Sequence, residues 1–200
     1  MALRGFEVVG FDNSVEMIRI ARTLADKEGA RPELLVGDML KVKRVVDPAF
    51  DLVICLGNSL ALLPSQDAVR DVVSSVYSLL SSGGFFVFQV LNFEEIRKSG
   101  FRFFPVKTGT TQEGHEVIFL RFFDHSERQP VSTLVMTGLT NTRGKWSSEI
   151  TTLQILNFDF EFLQDAMSSS GFTKADFFSD YQGATFSKAK SRDLIVLARK

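Results

Sequence analysis

The chain has 200 residues, 44% of them apolar and 24% charged, which is ordinary for a soluble globular chain and enough for one domain with a sizeable core. A net charge of -1 gives no electrostatic footprint for nucleic acid or an anionic membrane surface as partner. The single cysteine, Cys55, excludes an internal disulfide, no apolar stretch approaches the length of a membrane span, and no signal-peptide pattern opens the chain, so the reading is cytoplasmic.

In chain order, Met1-Ala-Leu-Arg-Gly5 reads as the tail of a helix and its glycine stop. Glu7 to Phe11 is a short apolar strand that ends on a carboxylate, Asp12. Asn13 is expected to cap the next helix, with Glu16 completing a capping-box-like arrangement. Ile18, Ala21, Leu24 and Ala25 recur at helical spacing, and Gly29 closes the helix. A strand that ends in an acid and turns into a helix is how α/β proteins hold a nucleotide ribose, about 20 residues after a glycine-rich turn. Counting back from Asp12 runs off the start of the chain, so the reading expects an N-terminally truncated domain.

Glu33–Val36 is a second strand, and Asp38 again puts a carboxylate at a strand's C-terminal edge, where open α/β sheets bind ligands. Phe50 to Ser59 is the strongest strand, a branched apolar run suited to burial on both faces. It ends in Gly57, which admits a ligand close to the backbone, and in Asn58 and Ser59, which offer donors and acceptors. Cys55 lies inside the run and reads as an inert thiol.

Ser65 caps a helix whose stripe is Val69, Val72, Val73, Val76, Leu79 and Leu80, and Ser81-Ser-Gly-Gly84 is its stop. Phe85 to Val90 is the next buried strand, with Asn92 at its end. Alternating strand and helix imply a parallel α/β sheet. From about 101 to 156 the pattern changes to antiparallel strands, Glu116–Phe123, Val131–Thr140 and Trp146–Leu156, with the polar turn His125 to Pro130 joining the first two. This insertion is a lid, a substrate wall or a cover for one sheet edge. Asp159 caps a last helix ended by Gly171, and Thr173–Ser179 with Asp193–Ala198 form an antiparallel hairpin. Most of the 20 phenylalanines are expected in the core.

Taken together, Gly5-Phe-Glu-Val-Val-Gly-Phe-Asp12-Asn-Ser with Met17, Val36-Gly-Asp38-Met39, Phe50 through Ser59 and Leu80-Ser-Ser-Gly-Gly84 resemble a class I S-adenosylmethionine-dependent methyltransferase. The likeness is nearest to the glycine and sarcosine N-methyltransferase branch. The tail, Gly171-Phe-Thr through Ala198, resembles that family's terminal strand pair. The fold implied is α/β: a Rossmann-like, mostly parallel sheet with helices on both faces, a C-terminal antiparallel strand pair and an antiparallel β insertion. Residues 1–200 would be one methyltransferase-like domain. Two departures stand out: Ser82 where the family usually has proline, and the missing first strand with its glycine loop. The resemblance puts that strand at the centre of the sheet, so the flanking strands must pair directly or receive a strand from another copy or partner.

The resemblance implies S-adenosyl-L-methionine as cofactor and a small-molecule acceptor. Asp12 would hold the ribose hydroxyls, Asn13 and Met17 would lie beside ribose and adenine, and Asp38 and Met39 would meet the adenine. Leu56, Gly57 and Asn58 would border the methionine end, and Asn92 would face the acceptor. Methyl transfer needs alignment and exclusion of water more than a strong base, so no catalytic residue and no metal ligand is assigned. Arg121, among Phe119, Leu120, Phe122 and Phe123, is a candidate for an acceptor carboxylate or an outward-facing strand arginine. His115 and His125 read as surface or turn histidines. Two alternatives accompany this reading: a catalytically inactive, truncated methyltransferase-like protein or subunit, and an NAD-dependent dehydrogenase.

Overall fold

The computed structural model describes residues 1–46, 49–125 and 130–200. Within it β1 (Val9–Asp12), α1 (Val15–Glu28) and β2 (Glu33–Val36) form a strand–helix–strand unit whose two strands pair in parallel. The first strand begins two residues later than its apolar run suggests and takes in Asp12 itself. The helix cap is Ser14, whose Oγ accepts the Met17 amide at 3.2 Å, and not Asn13. The cause is local. Asp12 Oδ1 accepts the Ser14 amide at 2.8 Å, and this Asx turn carries Asn13 past the cap position. Glu16 then pairs with Arg19 one turn on, at 2.6 Å, instead of reaching back to the cap. Gly29, at φ +67°, closes α1 in the left-handed conformation.

A short α2 (Val42–Val45) precedes β3 (Phe50–Cys55), α3 (Gln66–Leu79) and β4 (Leu80–Leu91). Ser65 caps α3 as expected, accepting the Ala68 amide at 3.1 Å. The expected apolar stripe is wholly buried. Ser81–Gly84 does not end a helix before a separate strand. It bulges within β4, which pairs Phe50 with Leu80 and then Leu52 with Phe85. Gly84 is required there because a Cβ would lie 3.0 Å from the Ser81 carbonyl oxygen and 3.1 Å from that of Phe50.

Besides the one-turn α2, two elements were not foreseen. One is α4 (Phe93–Ser99), a seven-residue helix too short to show a period. The other is β5 (Lys107–Thr110), an exposed edge strand with no apolar residue. The insertion's three expected strands are present as β6 (Glu116–His125), β7 (Val131–Thr142) and β8 (Lys145–Leu156), giving an antiparallel sheet in the order β5-β6-β7-β8. Of the turn expected between His125 and Pro130, residues 126–129 lie outside the described residues. After α5 (Phe160–Ser169), β9 (Lys174–Phe178) and β10 (Asp193–Arg199) pair antiparallel as expected. β10 also pairs with β4, so the second sheet runs β3-β4-β10-β9.

The core lies between this sheet, α3, α5 and the near end of the inserted sheet. Phe86, Phe88, Phe93 and Phe123 are almost completely buried, and Phe93 meets Phe123 edge-on at 5.5 Å, so phenylalanine does supply core. The N-terminal unit shares little of it: α1 buries only Ile18. The expected parallel sheet comes in two pieces. Among the described residues β1 and β3 do not pair, and each presents a free edge towards the trough between them.

Candidate functional site

The site follows from the pleat of two parallel strands. Asp12 stands opposite Val36, and the Gly37 amide donates to the Asp12 carbonyl at 3.0 Å, which fixes β2 beside β1. Asp38 therefore leaves the sheet beside Asp12. Its Oδ1 accepts the Leu40 amide at 3.0 Å and starts a one-turn helix, Met39–Lys41. Each carboxylate spends one oxygen on its own turn. Asp12, Asn13, Asp38, Met39 and Leu56 all line one cavity of about 640 Å³, together with Ser59 and the free edge of β3. Gly37 keeps this corner narrow, since a Cβ there would meet the Val45 methyls at 3.1 Å.

At the end of β3 the chain makes a left-handed turn through Gly57, φ +74°, and Asn58, φ +64°. Asparagine tolerates this conformation, and here its polar groups hold it. The Asn58 amide donates to Gln89 Oε1 at 2.9 Å, and Asn58 Oδ1 accepts the Leu91 amide at 3.0 Å. Buried Gln89 in turn donates through Nε2 to Asp193 at 2.6 Å. A polar chain thus ties the β3 turn to β4 and β10. The sequence reading missed Gln89 and Asp193, because their role depends on strands 104 positions apart.

The other expected residues are placed differently. Met17 is 54% exposed on α1 and does not line the cavity, nor do Gly57 and Asn58. Gly57 does have open space where a Cβ would stand. Asn92 is buried and engaged by the scaffold. Its Nδ2 donates to the carbonyls of Lys188 at 2.8 Å and Ser191 at 2.7 Å, while Oδ1 caps α4. Arg121 is half-buried with its guanidinium 4.7 Å from the centroid of Phe104 and 5.8 Å from that of Phe119.

Cys55 lines the cavity, but burial pushes its thiol up to about 11, only partly offset by hydrogen bonding at the Leu60 backbone, so it stays neutral at physiological pH. His125 is spent on structure: Nδ1 lies 3.1 Å from Ser132 Oγ and Nε2 2.8 Å from the Phe101 carbonyl. His115 faces Glu113 at 3.4 Å in an exposed turn. Among the described residues no cluster of three or more metal-ligating side chains occurs.

Two carboxylates at the ends of adjacent parallel strands thus line one largely apolar cavity. Residues 1–84 match the family described as Methyltransferase domain. The glycine/sarcosine N-methyltransferase of Aphanothece halophytica is 34% identical over 98 residues, which are 49% of this chain and 37% of that protein. The chain spans well under half the length of this curated relative. Among solved structures, an S-adenosylmethionine-dependent methyltransferase from Clostridium acetobutylicum superposes with TM-score 0.78 at 14% identity, covering 97% of this chain and 75% of that one. The chain has a methyltransferase fold. The S-adenosylmethionine-bound amino pentose methyltransferase CalS10 of Micromonospora echinaspora shares it at TM-score 0.72 and 20% identity, covering 97% of this chain and 74% of that one. The residues present fit the nucleoside half of the methyltransferase cofactor: two acceptors for hydroxyl and amine donors, and Met39 and Leu40 as apolar contacts.

Proposed function

We propose that this chain binds S-adenosyl-L-methionine and transfers its methyl group to a small-molecule acceptor. The observation that carries the reading is the pairing of Asp12 and Asp38, side by side at the C-terminal ends of β1 and β2 and lining one cavity. In this reading Asp12 accepts from the ribose hydroxyls with the oxygen its Asx turn leaves free. Asp38 accepts from the adenine amine, and Asn13, Met39 and Leu56 pack around the nucleoside. The cofactor supplies an activated methyl sulfonium, so the chain's task is alignment and exclusion of water. Asp12, Asp38, Met39 and Leu56 would hold the cofactor while it supplies its methyl to an acceptor lone pair, the sulfonium leaving as the neutral thioether and the acceptor's proton passing to solvent. The names of the relatives, which concern glycine, sarcosine and an amino sugar, favour an amine as acceptor. Arg121 is assigned to an acceptor carboxylate in this proposal, and residues 1–200 are taken as one domain.

One observation favours a second reading, a non-catalytic methyltransferase-like subunit: the sheet is broken between β1 and β3. A strand added there from another chain would convert the second reading into the first. Calorimetric titration with S-adenosylhomocysteine separates them. Micromolar binding by the folded chain supports the first, and binding only after a partner chain is supplied supports completion in trans. No binding under either condition removes the first reading.

A further inference from the structure

At the carboxyl ends of β3 and β4 a chain of polar side chains runs on to β10. Gln89 stands opposite Ile195 in the β4–β10 pairing, so Asp193, two residues earlier on β10, shares its face of the sheet. Gln89 Nε2 donates to Asp193 Oδ1 at 2.6 Å, and Gln89 Oε1 accepts the Asn58 amide at 2.9 Å. Asn58 Oδ1 accepts the Leu91 amide at 3.0 Å, a second tie between the β3 turn and β4. Gln89 is 8% exposed, and neither it nor Asp193 lines the cavity.

We propose that Gln89 and Asp193 are positioning residues of the candidate site, holding the turn after β3 in the form that carries Leu56 and Ser59 into the cavity wall. The inference rests on the methyltransferase reading, in which this turn borders the methionine end of the cofactor. The turn is conformationally costly. Gly57 and Asn58 stand in succession at φ +74° and +64°, a left-handed region that side-chain-bearing residues seldom enter. Ser59 Oγ donates to the Leu56 carbonyl at 2.7 Å, which couples the two wall residues to each other. Asn58 ties them to β4 through both its amide and its side-chain oxygen.

The acid at the far end sets the direction of the chain. A carboxylate only accepts, so Asp193 selects the Gln89 amide orientation that points Nε2 towards β10 and leaves Oε1 facing the Asn58 amide. The flipped amide would set its NH2 against the Asn58 N–H and its oxygen against the Asp193 carboxylate. The bond to a charged acceptor is the strong link, and the burial of Gln89 keeps water from substituting for it. A change at Asp193 therefore reaches the β3 turn through two hydrogen bonds, although Asp193 itself touches no part of the cavity.

Reversing the polarity of the chain tests it, with calorimetric titration of S-adenosylhomocysteine as the readout. Gln89→Glu sets a second carboxylate against Asp193 and should weaken binding about tenfold or more, the worth of a charge-assisted hydrogen bond. Adding Asp193→Asn restores a donor opposite the new carboxylate at the same net charge, and the double variant should recover to within about threefold of wild type. Amide exchange should follow the same order, faster at Asn58 and Leu91 in the single variant and slowed again in the double. A merely structural role would lower the melting temperature and leave affinity unmoved, or leave the double variant no better than the single, and either result overturns the proposal. Should Gln89→Glu fail to fold, Asp193→Leu at the half-buried start of β10 takes its place, and unchanged affinity there overturns the proposal equally. A wild-type chain that binds no S-adenosylhomocysteine, with or without a partner chain, overturns the methyltransferase reading and this proposal with it. Wild-type binding to which the variants are indifferent overturns the positioning role alone.

Discussion

At Asp12, one oxygen already accepts the Ser14 amide at 2.8 Å, so a substitution there tests both a turn and a ligand contact. Asp12→Asn keeps an acceptor for the turn while removing the charge. It should leave the melting temperature nearly unchanged and weaken S-adenosylhomocysteine binding about tenfold or more, the worth of a charge-assisted hydrogen bond. Equal affinity by calorimetry would remove Asp12 from the site. Cys55 has a thiol held near 11 by burial, so at pH 8 it is almost entirely protonated in the fold. Its reaction with iodoacetamide should be far slower than that of a free thiol, rising as pH climbs towards about 11. The sign is the same for stability: the unfolded thiol ionises at lower pH than the folded one, so this group lowers stability as pH rises through that window. Mass spectrometry of alkylation over pH checks the rate. Most of this was legible early. The acids were visible as strand-ending carboxylates, and Cys55 as a thiol inside an apolar run. Ser14 was missed as the cap because only the folded Asx turn tells it from Asn13.

Among elements, the β4 bulge has the sharpest requirement. Gly84 has three backbone oxygens within 3.2 Å of where a Cβ would stand, and none of them belongs to a flexible side chain. Gly84→Ala should cost about 1–3 kcal/mol, as forced overpacking does, lowering the midpoint of urea denaturation without changing its slope. The helices with long apolar stripes were readable because a 3.6-residue period over 14 residues is unambiguous, as in α3. The inserted strands were readable by alternation and length. α4 was not, because seven residues opening on Phe93-Glu-Glu display less than two full turns. Nor was β5, since Lys107-Thr-Gly-Thr110 becomes a strand only by pairing with β6.

For the whole molecule, the division of the sheet predicts a division of stability. β4 and β10 bury Phe86, Phe88, Val90 and Val196 completely, while the β1–α1–β2 unit buries only Ile18 of its helix. Amide hydrogen exchange should therefore be slowest in β4 and β10 and markedly faster in β1 and β2. S-adenosylhomocysteine should slow exchange in β1, β2 and the turn after β3, and equal protection of both sheets without ligand would contradict the division. The same unevenness makes the trough between β1 and β3 the place where an added strand would have most effect.

By itself the sequence determined the alternation of strand and helix, the two carboxylates at strand ends and the closing antiparallel pair, because periodicity, capping and turn chemistry act over a few residues. Only the tertiary structure decided that Asp12, Asp38 and Leu56 share one cavity while Met17 does not, and that Asn92 is consumed by carbonyls 96 and 99 positions away. It alone decided that β1 and β3 do not pair with each other among the described residues. Those properties arise from contacts between distant segments, and no local pattern of residues records them.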